Sequence, residues 1–216
     1  MTDFIAEAIA ERKLGLALHY PLLHAALIGL DAKSTLEFGA GGSTRVFLEA
    51  LPCDATHYSI STETGQEIAA RHGFRGARGM LPSAVDGLAW RPMWFHLHGL
   101  SEKHREVVMP WFDLILHDGS HAADVVADDI AWAWPHLRPF GLLMVHDTQH
   151  SYVGVEMREG VRRGLEKAGA RFTVTTLPYG FGLTIIRREE DGPDAVTPAQ
   201  AKVSSPHATE PMEFRP

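Results

Sequence analysis

Two short apolar runs in this chain end in the same pair of polar residues. Residues 113–118 read Asp-Leu-Ile-Leu-His-Asp, and residues 142–147 read Leu-Leu-Met-Val-His-Asp. A short apolar run between polar residues is typical of a strand that is buried on both faces of a parallel sheet. Asp118 and Asp147 would then follow the carboxyl ends of their strands, where open α/β sheets bind ligands. If the strands are neighbours, about 4.8 Å apart, the two carboxylates could hold one cation or one substrate together.

The rest of the chain alternates between apolar runs and helical patterns. The runs predict strands at residues 35–38, 57–60, 93–97, 113–116, 142–145, 171–176 and 182–186. Helices are predicted between them at residues 43–51, 62–71, 101–108, 122–135 and 155–168. This alternation predicts an α/β fold with a doubly wound, mostly parallel seven-stranded sheet. The last two strands follow each other directly, so we expect one antiparallel strand at the end.

The two ends of the chain differ from this alternating centre. Residues 1–30 read as N-terminal helices, the second of which begins near Pro21. The sheet-forming domain is expected at residues 31–188, with residues 73–92, rich in Gly, Arg and Pro, as a loop or insertion. Residues 189–216 lack apolar periodicity and therefore read as a disordered tail.

Composition and charge narrow the class of partner. A net charge of −7 argues against a mainly electrostatic nucleic-acid binder. Cys53 is the only cysteine, so no internal disulfide can form and we expect a cytoplasmic protein. The first residues carry acids where a signal peptide would carry Lys or Arg. The apolar stretch 14–30 is interrupted by His19, Pro21 and His24 and falls short of the roughly 20 apolar residues of a membrane span. We therefore expect a small-molecule substrate and no membrane partner, and leave association into a homo-oligomer open.

A glycine-rich turn follows the first predicted strand. Residues 37–44 read Glu-Phe-Gly-Ala-Gly-Gly-Ser-Thr, and Ser43 or Thr44 is expected to cap the following helix. The glycines let the backbone approach a ligand closely, and the helix N-terminus suits an anionic group. The turn is not a P-loop, because no Gly-Lys-Ser/Thr follows, and Thr44 stands where a dinucleotide fingerprint has its third glycine. A tight turn without a ligand is the alternative.

This turn resembles motif I of class I S-adenosylmethionine (SAM)-dependent methyltransferases, in which an acid ends the first strand and Gly-x-Gly follows. The resemblance implies a Rossmann-like methyltransferase fold and SAM as cofactor, with the methionine part against the backbone of the turn. The family usually carries an acid after the second strand for the ribose, but Ser61 stands there and Glu63 follows two residues on. The cofactor contacts that the resemblance implies are Glu37, Gly39, Ala40, Gly41, Ser43, Ser61, Glu63 and Ser101.

A second resemblance covers the two His-Asp segments. Residues 112–121 contain Asp-Gly-Ser-His after the fourth strand, and residues 137–148 contain His-Asp-Thr after the fifth. Both are similar to a methyltransferase subgroup of family 24 type, which includes macrocin-type sugar O-methyltransferases and proteins labelled cephalosporin hydroxylase. The resemblance implies that Asp118 and Asp147 bind a divalent metal, Mg²⁺ or Mn²⁺. His146 stands where many members have a carboxylate and is the third candidate ligand.

His121 matches the histidine that this subgroup is thought to use as general base. The chemistry is consistent, because Mg²⁺ prefers a few carboxylates plus substrate oxygens and water. A metal that holds a hydroxyl lowers its pKa, and a neutral histidine nearby can take the proton near pH 7.

Structural roles are the alternative for each of these residues. Asp118 could accept N–H groups in a turn, and His121 could cap the helix that starts there. The acids of the following helix read as a solvated face, and two tryptophans read as core; these residues are Asp124, Asp128, Asp129, Trp132 and Trp134.

Three functions are compatible with these patterns. The first is metal-assisted O-methyl transfer to a small polyhydroxylated molecule, such as a sugar or a catechol-like ring. The second is a metal-dependent hydrolase or phosphatase that uses the paired His-Asp ends and does not need the glycine-rich turn. The third is a methyltransferase-like protein without catalysis, for which the displaced acid at Ser61 would be the sign.

Overall fold

The computed structural model describes residues 3–10, 15–72, 92–107 and 109–190. The predicted loop at 73–92 lies outside the described residues except for residue 92. The predicted tail at 189–216 lies outside them except for residues 189 and 190.

The described residues form alternating helices and strands, as predicted. The α-helices are α1 (Asp3–Ala10), α2 (Tyr20–Gly29), α3 (Gly42–Ala50), α4 (Gly65–His72), α5 (Ala123–Ala133) and α6 (Gly154–Lys167). The strands are β1 (Ser34–Phe38), β2 (Thr56–Ser61), β3 (Met93–His98), β4 (Phe112–His117), β5 (Leu137–His146), β6 (Phe172–Leu177) and β7 (Leu183–Arg188). Short 3₁₀ helices span Gly15–His19, Ser101–His104 and Trp134–His136. Among the described helices, none has the length and apolar character needed to cross a membrane.

The seven strands form one sheet in the order β3-β2-β1-β4-β5-β7-β6. Strands β1 to β5 are paired in parallel, whereas β7 is antiparallel to both of its neighbours, β5 and β6. The predicted doubly wound, mostly parallel seven-stranded sheet is therefore confirmed, and β7 is its one antiparallel strand.

The strands that end in His-Asp, β4 and β5, are neighbours. Leu116 pairs with Met144, and His117 pairs with Val145. In this register His146 lies level with Asp118, and Asp147 lies one residue beyond. The sheet thus brings the two His-Asp ends together at one edge, as the paired pattern predicted.

Apolar residues cover both faces of the central strands. One face packs against α2 and α3, and the other packs against α5 and α6. Within β4, Leu114 and Leu116 belong to the first core cluster, whereas Ile115 belongs to the second. This two-sided burial explains why the strand reads as a continuous apolar run rather than an alternating one.

Two local predictions are wrong. The helix predicted at 101–108 is only a short 3₁₀ helix, Ser101–His104. Ser43 and Thr44 lie inside α3, whose N-cap is Gly41. The Ser101 hydroxyl binds Asp129, which is distant in sequence, and the Ser43 and Thr44 hydroxyls bind Glu37 beneath the turn. A local rule for helix caps does not anticipate such partners.

Helix α6 packs closely on α5 through two glycines. A Cβ added at Gly160 would lie 2.6 Å from Val126 Cβ, and one added at Gly164 would lie 2.7 Å from Ile130 Cβ. Both distances are far shorter than ordinary van der Waals contact between carbons. The glycines therefore set the distance between the two helices.

We expect Gly164→Ala to lower the free energy of unfolding by about 1–2 kcal/mol. Overpacking costs about 1–3 kcal/mol, and the better helix propensity of alanine returns up to about 1 kcal/mol. Urea denaturation should measure the loss. Gly29→Ala is the control, because a Cβ there meets nothing within 4 Å. Equal stability of the two variants would contradict the proposed close packing.

Candidate active site

The glycine-rich turn joins the carboxyl ends of three strands. Gly39 has a φ of +86°, and its N–H donates to the Ile60 carbonyl at the end of β2 at 2.9 Å. The Asp118 N–H, just after β4, donates to the Phe38 carbonyl of β1 at 2.9 Å. A Cβ at Gly39 would overlap the Asp118 carbonyl. Glycine is therefore needed at position 39 both for its backbone conformation and for the close approach of β1 to β4.

Glu37 supports this turn from below. Its side chain is fully buried, and its carboxylate accepts the hydroxyls of Ser43 and, at 2.6 Å, Thr44. His57 Nε2 lies 3.4 Å from the same carboxylate. Thr44 Oγ1 in turn accepts the Gly41 N–H at 3.0 Å. The structure thus places the predicted cofactor residues Glu37 and Ser43 beneath the turn, where their side chains bind each other.

Gly41 lies on the opposite, more open side of the turn. Its φ of −175° is ordinary extended backbone. A Cβ there would meet only His72 Nε2, at 3.8 Å. The backbone of Gly39, Ala40 and Gly41 is thus the part of the turn that a ligand could approach.

Asp118, His146 and Asp147 form a compact cluster at the end of β4 and β5. One ligand atom from each lies within 4.8 Å of the others, and this is the group with metal-ligand composition found among the described residues. His146 Nδ1 lies 2.9 Å from Asp118 Oδ1 and 3.2 Å from Asp147 Oδ1. The three predicted metal residues are therefore brought together.

His146 acts as a cation between these two carboxylates. Its Nδ1–H faces Asp118 and Asp147, and its Nε2–H donates to the Gly180 carbonyl at 2.9 Å. Burial alone would lower the pKa of His146, but hydrogen bonds and charge from both aspartates outweigh it and raise the pKa to about 10. Burial raises the pKa of Asp118. At Asp147 burial is outweighed by His146 and His121, so the pKa of that carboxyl is lowered.

Asp147 also holds the predicted general base. Its backbone has a φ of +59°, which is uncommon for a residue with a side chain. Its second oxygen, Oδ2, accepts His121 Nε2–H at 2.9 Å, and the His121 side chain is 41% exposed. With Nε2 protonated and bound in this way, Nδ1 of a neutral His121 carries a lone pair. Helix α5 begins at Ala123 with Ala122 as N-cap, so His121 does not cap it.

Sequence reasoning missed the residues behind His146. Gly180, in the turn between β6 and β7, supplies the carbonyl that accepts from His146, and Tyr179 stacks on His19 at 4.8 Å between ring centroids. His19 is fully buried and lies 5.7 Å from the His146 ring, edge to face. The signal that the sequence offers for this turn is the Tyr-Gly-Phe-Gly run at residues 179–182. In the structure residues 180–182 all have positive φ.

The remaining predicted cofactor residues are engaged elsewhere. Ser61 Oγ accepts the Glu63 N–H at 3.2 Å, and the Glu63 carboxylate pairs with Arg71 at 2.7 Å. Ser101 donates to Asp129 at 2.6 Å. Ser61 ends β2, Glu63 follows it, and Ser101 begins the 3₁₀ helix after β3, so these three residues lie at the carboxyl end of the sheet but are not brought into the metal cluster.

The acidic face of α5 is only partly solvated. Asp124 is exposed and pairs with Arg163, and Asp128 is partly exposed and pairs with Lys167. Asp129 is 2% exposed, so its assignment to the solvated face is wrong. Its carboxylate is bound by side chains from outside the helix, namely Ser101, Arg105 and His117. The two tryptophans lie in or against the core, as predicted.

Comparison with known proteins shows which family this chain matches. The family model described as a methyltransferase domain matches residues 36–148. No curated protein sequence matches the chain. The chain is similar in structure to the O-methyltransferase TomG from Streptomyces achromogenes, solved with SAM, at 22% identity and a TM-score of 0.59, covering 88% of this chain and 91% of that one.

Two further solved structures are similar. An O-methyltransferase from Bacillus cereus, in complex with S-adenosylhomocysteine (SAH), has 14% identity and a TM-score of 0.57, with 88% of this chain and 92% of that one covered. A SAH-bound methyltransferase from Podospora anserina has 15% identity and a TM-score of 0.57, with 88% and 89% covered. At these identities the three structures establish the fold.

The charge arrangement around His146 predicts how stability depends on pH in the metal-free protein. Because folding raises the pKa of His146 from 6.5 to about 10, its stabilising effect is complete below pH 6.5 and is lost as pH rises through about 10. We expect Tm to fall across this interval in the presence of EDTA. In His146→Gln the fall of Tm with pH should be smaller. Parallel curves of Tm against pH for the two proteins would contradict a protonated His146 between the two aspartates.

Proposed function

This chain belongs to the methyltransferase family whose domain model matches residues 36–148, and we propose that it transfers a methyl group from SAM to a hydroxyl oxygen of a small molecule with the help of a divalent metal. One observation carries the proposal. The Asp147 carboxylate belongs to the cluster with Asp118 and His146 and also binds His121, at the same end of the sheet as the glycine-rich turn.

The turn supports the cofactor assignment. Glu37 and its hydroxyl partners fix the turn from below, which leaves the backbone of Gly39 to Gly41 to contact the methionine part of SAM. Bound SAM would supply the methyl group on an electrophilic sulfonium. The neighbours solved with SAM or SAH have the same fold, which favours the same cofactor here. Ser61 at the end of β2, Glu63 just after it and Ser101 after β3 would lie toward the ribose and adenine parts.

The donor set fits a divalent metal. Asp118 and Asp147 offer carboxylate oxygens, and His146 offers Nδ1 because its other nitrogen is already bound to the Gly180 carbonyl. Histidine ligands in proteins commonly have their second nitrogen held in this way. A bound metal would lower the pKa of a coordinated hydroxyl of the acceptor.

His121 would remove the proton from that hydroxyl. Asp147 holds His121 Nε2–H, so Nδ1 of the neutral ring is left to accept the proton. The same carboxylate reaches the metal cluster through its other oxygen. Asp147 therefore orients the base relative to the acceptor oxygen, which the two aspartates would help to position. The proposed acceptor is a small hydroxylated molecule. The protein itself is expected to act in the cytoplasm.

Substitution of Gly41 tests the cofactor site. We expect Gly41→Val to weaken SAM binding at least tenfold, because the new side chain occupies the open side of the turn. Isothermal titration calorimetry should measure the change. Gly29→Val is the matched control, because a Cβ at Gly29 meets nothing within 4 Å. Unaltered SAM affinity in Gly41→Val would remove this turn from the cofactor site.

Substitution of the acids and of His121 tests the catalytic centre. We expect Asp118→Asn and Asp147→Asn each to lose metal-dependent methyl transfer while SAM still binds. His121→Ala should keep the metal but slow turnover by about 10²-fold or more. SAH formation should be measured with a panel of sugars and catechols as acceptors.

Asp124→Asn is the control for these variants, because Asp124 is exposed at the start of α5. It should keep full activity. Complete methyl transfer in excess EDTA would argue against the metal. Hydrolysis of a phosphate ester without SAM would instead favour the metal-dependent hydrolase.

A further inference from the structure

The third ligand of the proposed metal centre is a histidine, and the selectivity inferred for it rests on the proposed function. His146 lies level with Asp118 in the sheet, so Nδ1 points at the two carboxylates rather than away from them. A nitrogen donor therefore stands between two oxygen donors. Among the described residues, this is the group of three that could bind a metal.

The ring of His146 is fixed from its far side. Its Nε2–H donates to the Gly180 carbonyl at 2.9 Å, and a carbonyl can only accept. Nε2 must therefore keep its hydrogen when Nδ1 binds a metal. This fixes both the tautomer and the direction of the nitrogen lone pair.

The turn that carries Gly180 is itself held by the N-terminal segment. A Cβ at Gly180 would lie 2.9 Å from His19 Nε2 and 3.1 Å from the Gly15 carbonyl oxygen. Tyr179 stacks on His19 on the same side. Gly180 has a φ of +58°. The turn has little freedom to move, so the carbonyl that orients His146 is fixed in place. Gly15, His19 and Gly180 all lie outside the residues matched by the family model.

We propose that this centre selects a first-row transition-metal ion, such as Mn²⁺ or Co²⁺, over Mg²⁺, with His146 Nδ1 as a ligand and Gly180 as its positioning residue. An imidazole nitrogen is a ligand for first-row transition metals, whose affinity for mixed nitrogen and oxygen sites rises from Mn²⁺ to Co²⁺, whereas Mg²⁺ is bound mainly by oxygen ligands and water. Two carboxylates alone would accept either class of ion. The fixed nitrogen therefore determines the selectivity.

Metal binding by the full-length protein without SAM tests the proposal. We expect Mn²⁺ and Co²⁺ to bind at least about tenfold more tightly than Mg²⁺. In His146→Asp, which offers only oxygen donors, this ratio should fall severalfold. Electron spin-echo spectroscopy of the Mn²⁺ complex should detect a coordinated nitrogen in the native protein and none in the variant. Equal affinities for Mn²⁺ and Mg²⁺, or an absent nitrogen signal, would overturn the proposal.

A second pair of variants tests the orienting carbonyl without changing a ligand. Gly180→Ala should weaken Mn²⁺ binding by about 10-fold or more, the usual effect of losing a group that orients a ligand. Gly169→Ala is the matched control, since Gly169 has a φ of +59° and a Cβ there meets nothing within 4 Å. The control bears the same backbone strain but should keep the native affinity.

Equal Mn²⁺ affinity in Gly180→Ala and Gly169→Ala would overturn the role of Gly180. These readouts do not use methyl transfer. Selective metal binding without methyl transfer would refute the proposed function alone, and methyl transfer with Mg²⁺ bound as tightly as Mn²⁺ would refute this inference alone. Circular dichroism should confirm that each variant is folded.

Discussion

The contact between Gly39 and the backbone of Asp118 determines the shape of the site. The turn after β1 can lie against the end of β4 only because residue 39 has no Cβ and adopts a positive φ. The Phe38 carbonyl then accepts the Asp118 N–H. This close approach places the proposed cofactor surface directly beside the first proposed metal ligand. A methyl donor and a metal-held acceptor need such proximity, because transfer requires the reacting atoms to meet in line.

Charge balance is the second requirement of this arrangement. Two carboxylates at neighbouring strand ends repel each other, and burial makes the charged form of Asp118 less favourable. His146 offsets this by standing between them as an imidazolium. A divalent cation could take over the same role, with the nitrogen changing from donor to ligand. The cluster is therefore compatible with a metal-free state in which the chain folds before it binds an ion.

The fold could be predicted from the sequence because its signals are local. Apolar runs buried on two faces mark β4 and β5, and the repeated His-Asp ends made their adjacency testable. The parts that could not be predicted depend on partners distant along the chain. Ser101 reads as a helix cap, but it binds Asp129 of α5. In the sequence, His19 is only a polar interruption of the apolar stretch 14–30, yet it lies against the turn at Gly180. No rule of spacing connects Ser101 to Asp129 or His19 to Gly180, because only tertiary packing brings these positions together.

The contacts between the strand ends are made largely by main-chain atoms. The carbonyls of Phe38, Ile60 and Gly180 accept the bonds that join the turn, the sheet and His146. A main-chain carbonyl is present whatever side chain the position carries. At Phe38 and Ile60, substitutions can therefore accumulate during evolution while the frame of the site persists. Gly180 is the exception, because its positive φ and close neighbours require glycine. This tolerance of substitution is consistent with a shared fold at only 14% to 22% identity between this chain and the three solved methyltransferases.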